Sequence, residues 1–172
     1  MKLVFTLLLL PMVLFLPSCG GQVESNDGTP QVFREALGNW TGTHKLMGSD
    51  ELHDASYKVF MDGENLVHEF TSNYGGGFTG RESMHAHDSE LHATWTDSQE
   101  SEKMESNGSY DAASRTLTMT GEGADWEDPS KTVTYKHVTV YGEGTSSYTM
   151  TVIDPTGNEA QVMWIEMKKI GE

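Results

Sequence analysis

Cysteine is almost missing. Cys19 is the only one in 172 residues, so no internal disulfide can form, and packing and strand pairing must hold the fold together. Basic side chains are scarce too, 11 Lys and Arg against 26 Asp and Glu, for a net charge of −15. Binding a phosphate backbone requires clustered Lys and Arg, and anionic headgroups repel an acidic surface. These counts exclude nucleic acid as a partner and leave a lipid anchor as the one route to a membrane. After residue 16 the chain has no long apolar run, and only one short stretch has helical spacing. The marks of catalysis are missing as well. No Gly-x-Ser-x-Gly elbow occurs, Gly75-Gly76-Gly77 lacks the lysine and helix of a phosphate loop, and no pair of carboxylates stands out as acid and base. Neither an enzyme nor a cofactor is expected.

What is present begins with an export signal. Lys2 supplies a positive start, residues 3–16 an apolar region interrupted by Pro11, and no acidic residue precedes Glu24. This pattern predicts a signal peptide over residues 1–18 rather than a membrane span, which needs about 18 or more apolar residues. Leu16-Pro17-Ser18-Cys19 resembles the lipobox of bacterial lipoproteins, although Pro17 departs from the usual small or aliphatic residue there. The resemblance implies that Cys19 carries the lipid and becomes the first mature residue. It places the protein in a bacterial cell envelope. Gly20, with no aspartate after the cysteine, points to the outer membrane facing the periplasm where the cell has two membranes. Residues 19–28 are small and polar, and read as a flexible tether.

The folded domain is expected over residues 29–170. Thr29 as cap, Pro30 at the first turn and Gly38 as stop frame a short helix whose stripe is Val32, Phe33, Ala36 and Leu37. Period-two alternation follows. Thr116, Thr118 and Thr120 fall on one face, with Leu117 and Met119 on the other. The same reading predicts ten strands, at 38–47, 54–62, 64–73, 78–87, 90–97, 101–109, 115–122, 131–141, 145–153 and 159–168. Turn-forming residues lie between them at 62–63, 73–77, 88–89, 111–114, 142–144 and 154–157. Sequential antiparallel strands with short connections predict an all-β, up-and-down barrel, since closure removes exposed edges. A two-sheet sandwich is the alternative.

A short helix followed by Gly38-Asn39-Trp40 resembles the opening of calycin barrels, the group of lipocalins, fatty-acid-binding proteins and nitrobindins. That likeness implies that Trp40 packs across the closed end. Together with Trp95-Thr96-Asp97, Gly108-Ser109-Tyr110-Asp111 and the stretch 116–121, the chain resembles the bacterial family DUF1579 over about residues 33–169. That resemblance implies a fold and no reaction.

Three sets of side chains are candidates for function. If a two-residue turn lies near 88–90, His85, His87 and His92 share one face of a hairpin, a spacing open to zinc or copper. The same register gathers Met84, Ala86, Leu91, Ala93 and Trp95 on the other face, which is the better core, and turns the histidines to solvent. Val133, Tyr135, His137, Thr139 and Tyr141 share a face, and an inward His137 could ligate haem as the interior histidine of nitrobindins does, or simply be hydrogen-bonded. Methionines recur on most strands, and their unbranched side chains suit an adaptable cavity as well as an irregular core. The favoured expectation is a small apolar ligand inside the barrel, lined by Met84, Trp95, Met119, Tyr148, Met150 and Met163. The alternatives are a metal or haem protein, or a solid-core interaction module. Replacing Cys19 by serine is expected to abolish incorporation of labelled palmitate and move the protein to the soluble fraction. Unchanged labelling would contradict the anchor.

Overall fold

The structure, a computed structural model, describes residues 28–88, 90–99 and 103–171. The signal peptide, Cys19 and the tether up to residue 27 lie outside the described residues. A short helix, α1 (Gln31–Ala36), precedes ten strands: β1 (Gly38–Leu46), β2 (His53–Asp62), β3 (Asn65–Ser72), β4 (Phe78–His87), β5 (Glu90–Asp97), β6 (Met104–Asp111), β7 (Thr116–Ala124), β8 (Thr132–Tyr141), β9 (Thr145–Ile153) and β10 (Glu159–Ile170). Each strand pairs antiparallel with its sequence neighbours, and β1 pairs with β10 from Asn39↔Ile170 to Leu46↔Met163. The sheet is therefore a closed ten-stranded up-and-down barrel and not a sandwich.

Alternation decides which side chains enter it. Trp40 and His44 on β1, Ala55 and Val59 on β2, Leu66 and Phe70 on β3, and Leu117 and Met119 on β7 are buried, each two or four residues apart. Threonines, lysines and carboxylates occupy the other phase. At four positions the barrel wall tolerates only glycine. A Cβ on Gly42 would lie 1.8 Å from the Glu166 carbonyl oxygen, and one on Gly108 would lie 1.9 Å from that of Thr118. Gly80 instead makes room for the Trp95 ring, 2.2 Å from where its Cβ would stand, and a Cβ on Gly121 would meet the Glu105 carbonyl oxygen at 2.3 Å.

The two ends differ. At the end where β1 starts, α1 lies across the barrel and buries Val32, Phe33 and Ala36. The Trp40 indole N–H donates to the Ala36 carbonyl at 2.8 Å, and Arg115 Nε donates to Glu35 Oε2 at 2.9 Å, which ties the helix to the β6–β7 turn. Short connections close this end after β2, β4, β6 and β8. The opposite end carries the longer connections that follow β1, β3, β5, β7 and β9. One end is plugged by the helix, and the longer connections rim the other, the mouth end.

Two expectations need correction. Pro30 occupies the helix cap position itself and no side chain caps α1, whereas Gly38 follows the C-cap Leu37 with a φ of 122°, where a stop glycine belongs. Strand β6 runs later than the expected 101–109, because pairing with β7 continues to Asp111↔Thr116. Asp111 thus starts the turn as the last paired residue, and its carboxylate accepts from Ala113 N–H at 3.0 Å and from the Ser114 hydroxyl at 2.6 Å. Trp40→Ala, which removes a side chain only 4% exposed and its bond to the helix, is expected to cost about 3–5 kcal/mol in urea unfolding. A loss under about 1 kcal/mol would mean that the plug does not depend on it.

Candidate functional site

The site is built by register. Strand pairing sets Val59 beside His68, His68 beside Glu82, and Glu82 beside Trp95, all on the inward face. Across the barrel, His137 is paired with Met119 on one side and Met150 on the other, and Tyr148 with Ile165. The inward side chains of the described residues are mainly apolar and aromatic, with a polar belt among them.

That belt consists of two couples. His68 Nδ1 lies 2.8 Å from Glu82 Oε2, and His137 Nδ1 lies 2.7 Å from the Tyr148 hydroxyl. Burial would raise the Glu82 carboxyl, but the hydrogen bond and charge of His68, together with His137, hold it below the ordinary carboxylate value. Glu82 is therefore ionised and accepts, so His68 carries a proton on Nδ1. Burial depresses protonation of His137, and the opposing pull of Glu82 does not restore it. Burial likewise pushes the Tyr148 and Tyr57 phenols well up. A neutral imidazole beside a phenol that keeps its proton is best satisfied when O–H donates to Nδ1, which places the ring proton of His137 on Nε2. The Nε2 atoms of both histidines are buried without a hydrogen-bond partner.

Burial pushes the Tyr57 and Tyr148 phenols up and opposes ionisation of Glu82, so each is largely surrounded by protein. Yet none is fully covered, and Glu82 and His68 keep 22% and 14% of their side-chain surface. The same applies to Met61, Phe78, Trp95 and Met163, which face inward and are only partly buried. Ten strands make a wider barrel than the eight whose interior side chains alone can fill.

A second cluster lies towards the mouth. His44, 2% exposed, is hydrogen-bonded through Nε2 to Ser72 Oγ at 2.7 Å, and its ring stands 5.2 Å from that of His53 and 5.9 Å from that of Tyr74. Burial, and then the neighbouring His53, lower its proton affinity. Trp95 Nε1 donates to Asp97 Oδ2 at 3.0 Å on the same side of the barrel.

The sequence-derived residues fall as follows. Met84, Met119 and Met150 are buried on the inward face, and Trp95, Tyr148 and Met163 stand there partly buried. Trp40 lies at the plugged end. His85 and His92 face each other across β4 and β5 but on the outer face, their rings stacked at 5.2 Å. With His87, Glu64, Glu105 and Asn107 they border a shallow outer cleft of about 520 Å³. Among the described residues no group of three or more His, Cys, Asp or Glu is arranged to hold a metal ion. Nor is any helix there long and apolar enough to cross a membrane. His68, Glu82 and His44 were missed. Their signal was phase: each is a polar residue alternating with Leu66 and Phe70, Gly80 and Met84, or Trp40 and Gly42.

His44 and His137 bind protons more weakly folded than unfolded. As pH falls below the ordinary histidine value of 6.5, the unfolded chain gains protons first and stability drops, before carboxylates of ordinary value 4.5 begin to titrate. Urea midpoints taken between those values are expected to fall by up to about 1.4 kcal/mol per pH unit for each ring, with a shallower slope in His137→Phe. An identical slope in that variant would remove His137 from this account.

No curated protein matches the chain. The family model described as "Protein of unknown function (DUF1579)" matches residues 28–169, which include α1 and all but the last residue of the closed barrel. On that match the chain belongs to the DUF1579 family.

Proposed function

We propose that the protein is a cell-envelope lipoprotein, tethered through Cys19, whose calycin-like barrel takes up a small hydrophobic ligand through its mouth. One observation carries this reading. Inward aromatic and methionine side chains, among them Trp95, Tyr148 and Met163, remain partly uncovered although they point into a closed barrel. A core packed to ordinary density would cover them. Burying a ligand against them is worth about 25 cal/mol per Å² of apolar surface, while the polar belt orients it, as in most small-molecule sites. Apolar residues at the mouth end support the same reading. Met47 and Leu52 on the β1–β2 connection and Trp126 on the β7–β8 connection are 52%, 58% and 49% exposed, which eases entry of an apolar molecule from water.

Residues 28–171 contain the helix, every strand and the closing β1–β10 pair, so a soluble form lacking residues 1–19 keeps the whole fold. Native mass spectrometry of that form is expected to show one small organic mass per chain. After solvent extraction, the protein is expected to take up one equivalent of the uncharged probe N-phenyl-1-naphthylamine. A clean apoprotein that takes up no probe would contradict ligand binding and leave a solid-core module. A Soret band or stoichiometric metal would contradict it in favour of a haem or metal protein.

A further inference from the structure

Resting on that reading, the polar belt also specifies the head of the ligand. We propose that the lumen selects an uncharged amphiphile with a hydroxyl head, seated between His137 and His68, over a fatty acid or a fatty amine. The two imidazoles stand on opposite walls, on β8 and β3, and the charge of Glu82 beside His68 reaches His137 and Tyr148. Each ring uses Nδ1 within the wall and has Nε2 buried and unpaired. A buried unpaired donor or acceptor costs about 1–3 kcal/mol, so a ligand that pairs with it gains that much over one that does not.

A hydroxyl suits these groups because it donates once and accepts twice. It accepts from His137 Nε2–H, and it donates to His68 Nε2 or accepts from it, whichever form that ring takes. The chain's other choices count against ions. Among the described residues no Lys or Arg lies on the inward face of the strands between Trp40 and the mouth; Lys169 lies over the Trp40 ring at the plugged end, and Arg115 is bonded to Glu35. The charged carboxylates that do face inward are Glu82 and Asp97, within a chain of net charge −15. A fatty-acid carboxylate would enter with no free cation to meet it, and losing its water would go uncompensated. An ammonium head only donates, so it cannot pair with His137 Nε2–H, and Glu82 Oε2 already accepts from His68. Met119 and Met150 flank His137 in the register, and their unbranched side chains can turn aside to admit the head.

The test is displacement of N-phenyl-1-naphthylamine from the extracted soluble form at pH 7.5 by 1-decanol, decanoate and decylammonium, which share one tail. Decanol is expected to displace the probe at a concentration at least about tenfold below either ion. His137→Phe is expected to weaken decanol about tenfold relative to decanoate and decylammonium, each displacement being referred to the variant's own affinity for the probe. If either ion displaces as well as decanol, or if none of the three displaces a bound probe, the head-group inference is overturned while the lumen reading stands. Unchanged decanol affinity in His137→Phe overturns the seating. Failure of the chain to take up the probe overturns the lumen reading, and this inference with it.

Discussion

The pairing of β1 with β10 is the contact on which everything else depends. Eight residue pairs, from Asn39↔Ile170 to Leu46↔Met163, join the two ends of the described sheet and convert a twisted ribbon into a tube. The gain is twofold. No strand edge is left to pair with another chain, and one face of every strand now looks into a common interior. With only one cysteine in the chain, no internal disulfide can form, and backbone pairing must hold the tube closed. Gly42 shows how tight the seam is, since any side chain there would collide with the Glu166 carbonyl across it.

Closure sets a conflict that the rest of the molecule resolves. A tube of ten strands is wider than its own side chains can fill, so the interior must be plugged, packed or left open. This protein does each in a different place. Helix α1, Trp40 and the Glu35–Arg115 pair plug one end. Leu66, Met84, Ile165 and Phe33 are almost wholly buried and form the dense part of the core. Above them the polar belt and its neighbouring aromatics stay partly uncovered. The belt is affordable only because its members pair within the wall, His68 with Glu82 and His137 with Tyr148. Their second nitrogens leave buried, unpaired polar atoms on two opposite walls of the interior.

Much of this could be read along the chain. Alternation and turn residues placed all ten strands, the hairpin at 88–89 put His85 opposite His92, and the threonine face of β7 lies outward as its pattern implied. Those features are local, set by period two and by backbone conformations such as the positive φ of Gly63 and Asp88. The polar belt was less legible. His68 and Glu82 occupy inward phases of their strands, but each looks like an ordinary polar residue until the register between β3 and β4 sets them side by side. The opposition of His137 to that pair needs the barrel to close, and no local pattern encodes it. The helix cap was misread for a related reason: Thr29 is a favourable capping residue by type, whereas the path of the chain puts Pro30 at that position.

The most direct measurement is the long-range ¹⁵N NMR correlation of the histidine rings in the extracted soluble form, recorded with and without 1-decanol. The account predicts that His137 shows the neutral, Nε2-protonated ring and that His137 and His68 shift when decanol is added, while His85, His87 and His92 on the outer face do not. A proton on Nδ1 of His137, or shifts confined to the outer histidines, would contradict an interior that is built to receive a ligand.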